Sequence, residues 1–427
     1  MKNLFTLSKE ELQIELKALQ KSYEEYKEQG LSLDMTRGKP CKEQLDNVSD
    51  IISTLTADDY KANDGLDCRN YGILQGISEG RKLFAEILGT SWERIILMGS
   101  SSLTAMHDAL VRALLFGEVD SEQPWSKEKE IKWLCPVPGY DRHFLITETL
   151  GFSLISVPMN ENGPDMDIVE RLVAEDSSIK GMWAIPLYSN PDGYVYSEET
   201  CKRLASMKTA AKDFRIFWDN AYVVHHLYDD KKGSVPDILS LCESSGNPNR
   251  VYEFASTSKV THPGSGISCV ATNLDNIAHI EKYLSVQTIG PDKINELRHV
   301  RYFQKNPIEK IMEGHARILR PKFEVTLSIL KEALLPCGFA RWNVPMGGYF
   351  VSLFVYPGTA KKTVSLAKEI GVAFTPAGAT YPYNHDPKDE NIRIAPTFPP
   401  ISDVEQAVGV LCICARLSAV QKRLEEL

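Results

Sequence analysis

The chain lacks the features that mark membrane-spanning, disulfide-stapled or nucleic-acid-binding proteins. Nothing in it approaches the ~18 uninterrupted apolar residues of a membrane helix. Its first residues, Met1-Lys-Asn-Leu-Phe-Thr-Leu-Ser8, carry no apolar run followed by a small-residue cleavage site. No Cys-x-x-Cys pair occurs among nine scattered cysteines, and Cys135, Cys269, Cys412 and Cys414 sit in apolar runs. Buried, reduced thiols and a cytoplasmic location are therefore the expectation. Positive charge is short as well. Lys and Arg number 48 against 57 Asp and Glu, a net charge of −9, which provides no basic face for nucleic acid. The absence of a G-x-x-x-x-G-K-[ST] run excludes a Walker-type phosphate loop. No internal repeat or low-complexity tract is present.

What remains is an ordinary globular composition, 43% hydrophobic and 25% charged over 427 residues, enough for two or three domains. Residues 8 to about 29 alternate apolar and charged positions at helical spacing, with Ser8 and Glu11 as a capping box and Gly30 as the stop. From residue 94 the pattern changes to short apolar runs, at 94–99, 132–137, 153–158, 181–187, 215–219, 251–255 and 267–271. Helix candidates lie between them, among them 104–116, 166–174 and 198–211. Apolar strands alternating with helices predict an α/β layer architecture with a mainly parallel, seven-stranded sheet. Beyond about residue 275 the sequence is helical to Leu335, then strand-like at 348–354 and 391–395, with a last helix from Val404 to about Leu424. This part predicts a smaller α+β domain. The expected division is 1–60 as an N-terminal helix and arm belonging to the small domain, 61–300 as the large domain and 301–427 as the small one. Polar loops at 120–130, 228–250 and 381–391 are expected to be solvent-exposed.

Catalytic residues of parallel sheets gather at the carboxyl ends of strands. Ser100, Asn190, Asp219 and Lys259 each fall just past one of the apolar runs. Lys259 lies in Phe254-Ala-Ser-Thr-Ser-Lys259-Val, downstream of Asn190-Pro-Asp-Gly193 and Asp219-Asn-Ala-Tyr222. A lone lysine is most often a solvated surface charge. A Ser-x-x-Lys run also suggests a serine nucleophile, but the Ser-Asp-Asn and Lys-Thr-Gly companions of that group are absent.

Taken in series, these motifs resemble those of class I aminotransferases, fold type I enzymes that use pyridoxal 5′-phosphate. Thr36-Arg-Gly-Lys-Pro40 and Pro138-Gly-Tyr-Asp-Arg-His-Phe144 resemble a bacterial subgroup of aspartate aminotransferases, over roughly residues 30–420. The resemblance implies Lys259 as the Schiff-base lysine and proton carrier, and Asp219 as the partner of the cofactor's ring nitrogen. Tyr222 and Asn190 would bond its phenolic oxygen, and Tyr140 would stack on its ring. Ser100, Ser101, Ser102, Ser256 and Ser258 would receive its phosphate, with Tyr71 reaching in from the neighbouring subunit of a homodimer. Arg393, in Asn391-Ile-Arg-Ile-Ala-Pro396, matches the arginine that holds the substrate α-carboxylate, and Gly38 belongs to a loop over the substrate. For a distal carboxylate Arg37, Arg142 and Arg69 are candidates, Arg37 being preferred. One departure stands out: relatives place a phosphate-clamping arginine about eight residues after the lysine, where this chain has Ile267.

The activity implied is exchange of an amino group between aspartate and 2-oxoglutarate. Aromatic or other amino-acid substrates, a β-lyase, and a non-catalytic sensor domain are the competing readings. Substrates would be amino acids and 2-oxo acids, with no nucleic acid, membrane or metal. His225-His226 lacks an i, i+4 partner for a metal and predicts a local structural role. Arg203, Lys208 and Lys212 are expected on one solvated helix face.

Overall fold

The computed structural model describes residues 3–427. All seven apolar runs form strands of one sheet, ordered Ile95–Leu97, Ser268–Ala271, Val251–Ser256, Arg215–Asp219, Ile179–Ala184, Lys132–Val137, Ser153–Asn160, and an eighth, Gly163–Pro164, at the edge. The four central neighbour pairs, from 251–256 through 153–160, are parallel. Ser268–Ala271 runs antiparallel to both its neighbours, and Gly163–Pro164 folds back on Ser153–Asn160 as a short antiparallel return. The eighth strand escaped the sequence reading because two residues carry no periodicity.

Alternation along the strands fills both faces. Trp133, Trp183, Phe217 and Phe254 point into one apolar layer, while Leu134, Met182, Ile216 and Trp218 point into the other. A sheet buried on both sides reads as continuous apolar sequence, which is why these strands were legible.

The C-terminal part holds a three-stranded antiparallel sheet, ordered Arg341–Trp342, Val351–Phe354 and Asn391–Ile394, with Arg393 opposite Ser352. Helix Ile308–Leu334 packs on Ile401–Glu425, which also meets Ala360–Ile370 and the N-terminal helix Lys9–Lys27. The predicted Ser8–Glu11 capping box is present, and Gly30 takes φ 62° just past the helix. The N-terminal arm joins the C-terminal part directly: Leu33–Met35 pairs in parallel with Val372–Phe374. This short pairing delivers residues 36–39 to the carboxyl ends of the large sheet.

Several local expectations are corrected. Helix Glu198–Ser206 stops five residues short of the predicted end, so Lys208 and Lys212 lie outside it. Arg203 is no free surface charge, since its guanidinium donates to Glu170 and Asp167. The three polar loops are not wholly solvent-exposed. Trp125 is fully buried and donates to Asp213, residues 238–244 form a helix burying Ile238, Leu239 and Cys242, and Pro382 and Asp386 are buried. A single anchoring aromatic or a short helix within a charged stretch is masked by the average polarity around it. All nine cysteines are buried and unpaired. Among the described residues no helix is long and apolar enough to cross a membrane, and no cluster could hold a metal ion.

Candidate active site

A cavity of about 610 Å³ opens at the carboxyl ends of the parallel strands. Its wall includes Lys259, Asp219, Tyr222, Asn190, Tyr140, Ser101, Ser102, Ser256, Ser258, Arg393, Arg37 and Gly38. These twelve expected residues come from segments far apart in the chain and meet at one place.

Asp219 ends strand Arg215–Asp219 and is buried. Its Oδ2 lies 3.0 Å from His143 Nε2, while Oδ1 is buried with no partner. The His143 ring stacks on Trp183 at 4.2 Å between centroids, which fixes the imidazole edge toward the carboxylate. A buried, unpaired carboxylate oxygen is costly unless a donor meets it. Lys259 follows strand Val251–Ser256, its Nζ 4.8 Å from the Tyr222 ring centroid and 5.9 Å from that of Tyr349. Enclosure by these rings strips water from the amine and lowers its pKa, against an opposing pull from the Asp219 charge. Burial pushes Tyr222 well up, and takes Tyr140 up to about 12.

Helix Ser102–Phe116 begins at the cavity wall, and its N-cap, Ser101, makes no side-chain capping bond. The first-turn N–H groups and the positive end of the helix dipole are thus available to an anion. Across from it, Ser256 Oγ bonds Ser258 Oγ at 3.1 Å, and Ser258 Oγ donates to the Ser100 carbonyl at 3.3 Å. Ser100 enters through that carbonyl and does not line the cavity. Ile267 is buried: its carbonyl accepts from the Thr257 N–H and its own N–H donates to Thr257 Oγ1, so this position is packed with hydrocarbon and brings no cation.

Arg393 sits on strand Asn391–Ile394, buried over the Phe350 ring at 4.9 Å. Nη1 donates to Asp141 Oδ1 at 2.7 Å and to Asn190 Oδ1 at 3.4 Å, and Nη2 donates to Thr375 Oγ1 at 3.3 Å. Thr375 Oγ1 in turn donates to the Thr36 carbonyl at 2.8 Å, tying the Arg37 loop to Arg393. Arg37, Lys39 and Arg142 bring exposed cationic side chains to the same cavity. Arg69 does not. Its guanidinium is held by Asp67 at 2.9 and 2.7 Å and stacks on Tyr60 at 3.6 Å. Tyr71 lies outside the cavity too, 77% exposed on the surface.

Sequence reasoning missed Asp141, His143, Lys39, Thr375 and Phe350 as members of the site. Asp141 and His143 stand in the Pro138–Phe144 motif, and Lys39 in the Thr36–Pro40 motif, so a signal existed for three of them. Thr375 and Phe350 had none, being ordinary strand-end residues. His225 is buried with both ring nitrogens unpaired, while His226 Nδ1 lies 2.6 Å from the Tyr188 hydroxyl.

The residues fit pyridoxal phosphate on three counts. Asp219 Oδ1 offers an unpaired acceptor to a protonated ring nitrogen, Lys259 offers a desolvated amine, and the uncapped helix with Ser256 and Ser258 offers donors to phosphate. The sequence profile of the aspartate amino-transferase family matches residues 7–426. An aspartate aminotransferase of Corynebacterium glutamicum is 47% identical over 404 residues, covering 94% of this chain and 93% of that protein. The crystal structure of an aspartate transaminase from that organism superposes with a TM-score of 0.96 at 46% identity, covering 99% of each chain. In fold alone, α-aminoadipate aminotransferase from Thermus thermophilus, solved with N-(5′-phosphopyridoxyl)-L-leucine, matches at 20% identity and a TM-score of 0.73, over 93% of this chain and 94% of that one.

Proposed function

Since the chain belongs to the aspartate amino-transferase family, a fold type I aminotransferase, we propose that it interconverts L-aspartate plus 2-oxoglutarate and oxaloacetate plus L-glutamate with pyridoxal 5′-phosphate. The observation that carries the dicarboxylate reading is the set of cations on one cavity: Arg393 buried at the wall, with Arg37, Lys39 and Arg142 exposed around it. Two carboxylates of one substrate need two cationic positions, and an arginine fork suits each.

When bound, the cofactor supplies an electron sink for the negative charge left on the substrate Cα. The protein's share is positioning and proton transfer. Arg393 holds the α-carboxylate, which fixes the amino acid's orientation. Lys259, its pKa lowered by burial, presents an amine able to take the Cα proton and return it. Asp219 would offer its carboxylate to the ring nitrogen, and His143 stacked on Trp183 holds that carboxylate in place. Tyr222 and Asn190 offer polar groups to the phenolic oxygen, and Tyr140 a ring face. Ser101, Ser102, Ser256 and Ser258 would receive the phosphate.

The site is completed by a second subunit. Tyr71 and Ile73 are exposed beside Val286 and Ile289, 88% and 66% exposed, and the two segments are joined by the Gly72 N–H to the Ile289 carbonyl. An apolar surface of this kind fits an interface between copies, with Tyr71 serving the neighbour's phosphate. The division at 1–60, 61–300 and 301–427 goes with this reading, residues 33–35 tying the arm to the C-terminal part.

Amino-acid profiling of the purified protein tests the assignment. The expected result is visible absorbance from bound cofactor, lost in Lys259→Ala, and a rate with aspartate above those with tyrosine or alanine. No uptake of pyridoxal phosphate sinks the whole reading. A rate with aspartate no higher than with tyrosine or alanine sinks the substrate.

A further inference from the structure

Arg393 already has a carboxylate. Asp141 Oδ1 accepts from Nη1 at 2.7 Å, the shortest of the guanidinium's hydrogen bonds. Nη1 carries two protons, and its two acceptors, Asp141 and Asn190, account for both. Nη2 gives one proton to Thr375 and keeps another. Nε is unpaired but sealed from solvent, so the edge it shares is closed to an incoming ligand. A carboxylate arriving from the cavity therefore meets the Nη1–Nη2 end of the fork. To be held there by two bonds it must take an Nη1 proton now given to Asp141 or to Asn190, and of the two Asp141 is the one that competes with a charge and at the shorter distance.

Asp141 is built to give way. Its side chain is 31% exposed against 6% for Arg393, and it lines the same cavity. It is the first residue of helix Asp141–Thr149, where the free N–H groups and the dipole stabilise a carboxylate that has lost its arginine. The cation is deep and fixed, whereas the anion is shallow and lodged at a helix start.

On the reading that Arg393 takes the substrate α-carboxylate, we infer that Asp141 is an internal stand-in for that carboxylate, a specificity residue that keeps Arg393 paired until substrate displaces it. A ligand gains the site only by offering Arg393 a better carboxylate than Asp141 does. Amines without a carboxylate cannot make that exchange. The arrangement also avoids leaving a buried, unpaired guanidinium between turnovers, which would be costly.

Calorimetric titration of the holoenzyme with maleate, a dicarboxylate without an amine, tests the exchange. Asp141→Asn keeps the shape and an acceptor while removing the competing charge. It should tighten maleate on the order of tenfold, the scale of one charge-assisted hydrogen bond less partial resolvation. Arg393→Gln should weaken maleate by tenfold or more, and adding Asp141→Asn to it should give no further gain. Unchanged affinity in Arg393→Gln overturns the placement of the α-carboxylate itself. Weakened binding in Arg393→Gln with unchanged or weaker binding in Asp141→Asn overturns only the stand-in. A gain that survives in the double variant also overturns it, since the effect would then be a general field. A parallel titration with 2-methylaspartate covers one more case. If Asp141→Asn weakens that amine-bearing ligand and leaves maleate alone, Asp141 holds the ammonium and the inference is wrong. Asp141→Ser carries the same expectations should the Asn variant fail to melt cooperatively.

Discussion

Two opposing forces meet at the Lys259 amine. Enclosure by Tyr222 and Tyr349 disfavours the charged form, and the Asp219 carboxylate favours it, with burial the larger. A lysine whose folded pKa lies below its unfolded one costs stability wherever the chain must carry the proton. Its contribution is recovered above the unfolded value and lost as pH falls through the folded one. Near neutral pH, Lys259→Met should therefore melt higher than wild type when both are cofactor-free and, with cofactor supplied, turn over on the order of 10⁴-fold more slowly. Scanning calorimetry and single-turnover assays check the two halves separately. Asp219→Asn removes the force that holds the pKa up, so the acidic limb of the rate profile should move to lower pH. The same variant should lose on the order of 10²–10³ in kcat, as electrostatic partners of developing charge do. An unmoved limb would show that Asp219 does not reach the amine electrostatically.

Elements impose conditions of a different kind. Strand Val251–Ser256 carries Glu253 into the core, where Oε1 accepts from Asn220 Nδ2 at 2.9 Å and burial raises the carboxyl's pKa to about 8. A carboxyl whose folded pKa is raised contributes stability fully below its unfolded pKa and loses it as pH climbs through the folded one. Urea unfolding should accordingly show stability falling between about pH 4.5 and 8. Glu253→Gln should flatten part of that fall and be at least about 1 kcal/mol more stable than wild type near pH 8.5. An equal slope in the variant would place Glu253 outside the titration. The other decisive element is the pairing of Leu33–Met35 with Val372–Phe374. It starts at Gly371, whose φ is +100° and whose added Cβ would stand 1.8 Å from the Leu31 carbonyl oxygen. Both strain and collision resist a side chain there. Gly371→Ala should cost more than ~2 kcal/mol. It should also raise KM more than it lowers kcat, because the strand carries the Arg37 loop to the cavity.

At the scale of the whole molecule the question is how many chains make a site. Tyr71 is exposed and does not line its own cavity. Mixed Lys259→Ala and Tyr71→Ala subunits, each nearly inactive alone, should regain roughly a quarter of wild-type activity on random reassociation, since half the dimers then hold one intact site. No recovery, with reassociation shown by sedimentation, would place Tyr71 outside the neighbour's site.

Much of this protein follows from sequence alone. Seven of the eight strands of the large sheet, the capped N-terminal helix and the placement of Asn190, Asp219 and Lys259 beyond or at the carboxyl ends of strands were legible because each depends on local periodicity or on a short motif. Side chains alternate across a strand whatever lies far away, and a motif carries its chemistry with it. What periodicity cannot encode is which distant segment arrives at a given wall. Asp141 and Arg393 lie 252 positions apart, one at the start of a helix and the other on a strand of the small sheet, and only the packed chain brings them to 2.7 Å. The same holds for Arg69, paired with Asp67 outside the cavity, and for Trp125 buried within a charged loop. Local chemistry proposed the Lys259 cradle. Which carboxylate Arg393 holds while it waits was decided by long-range packing.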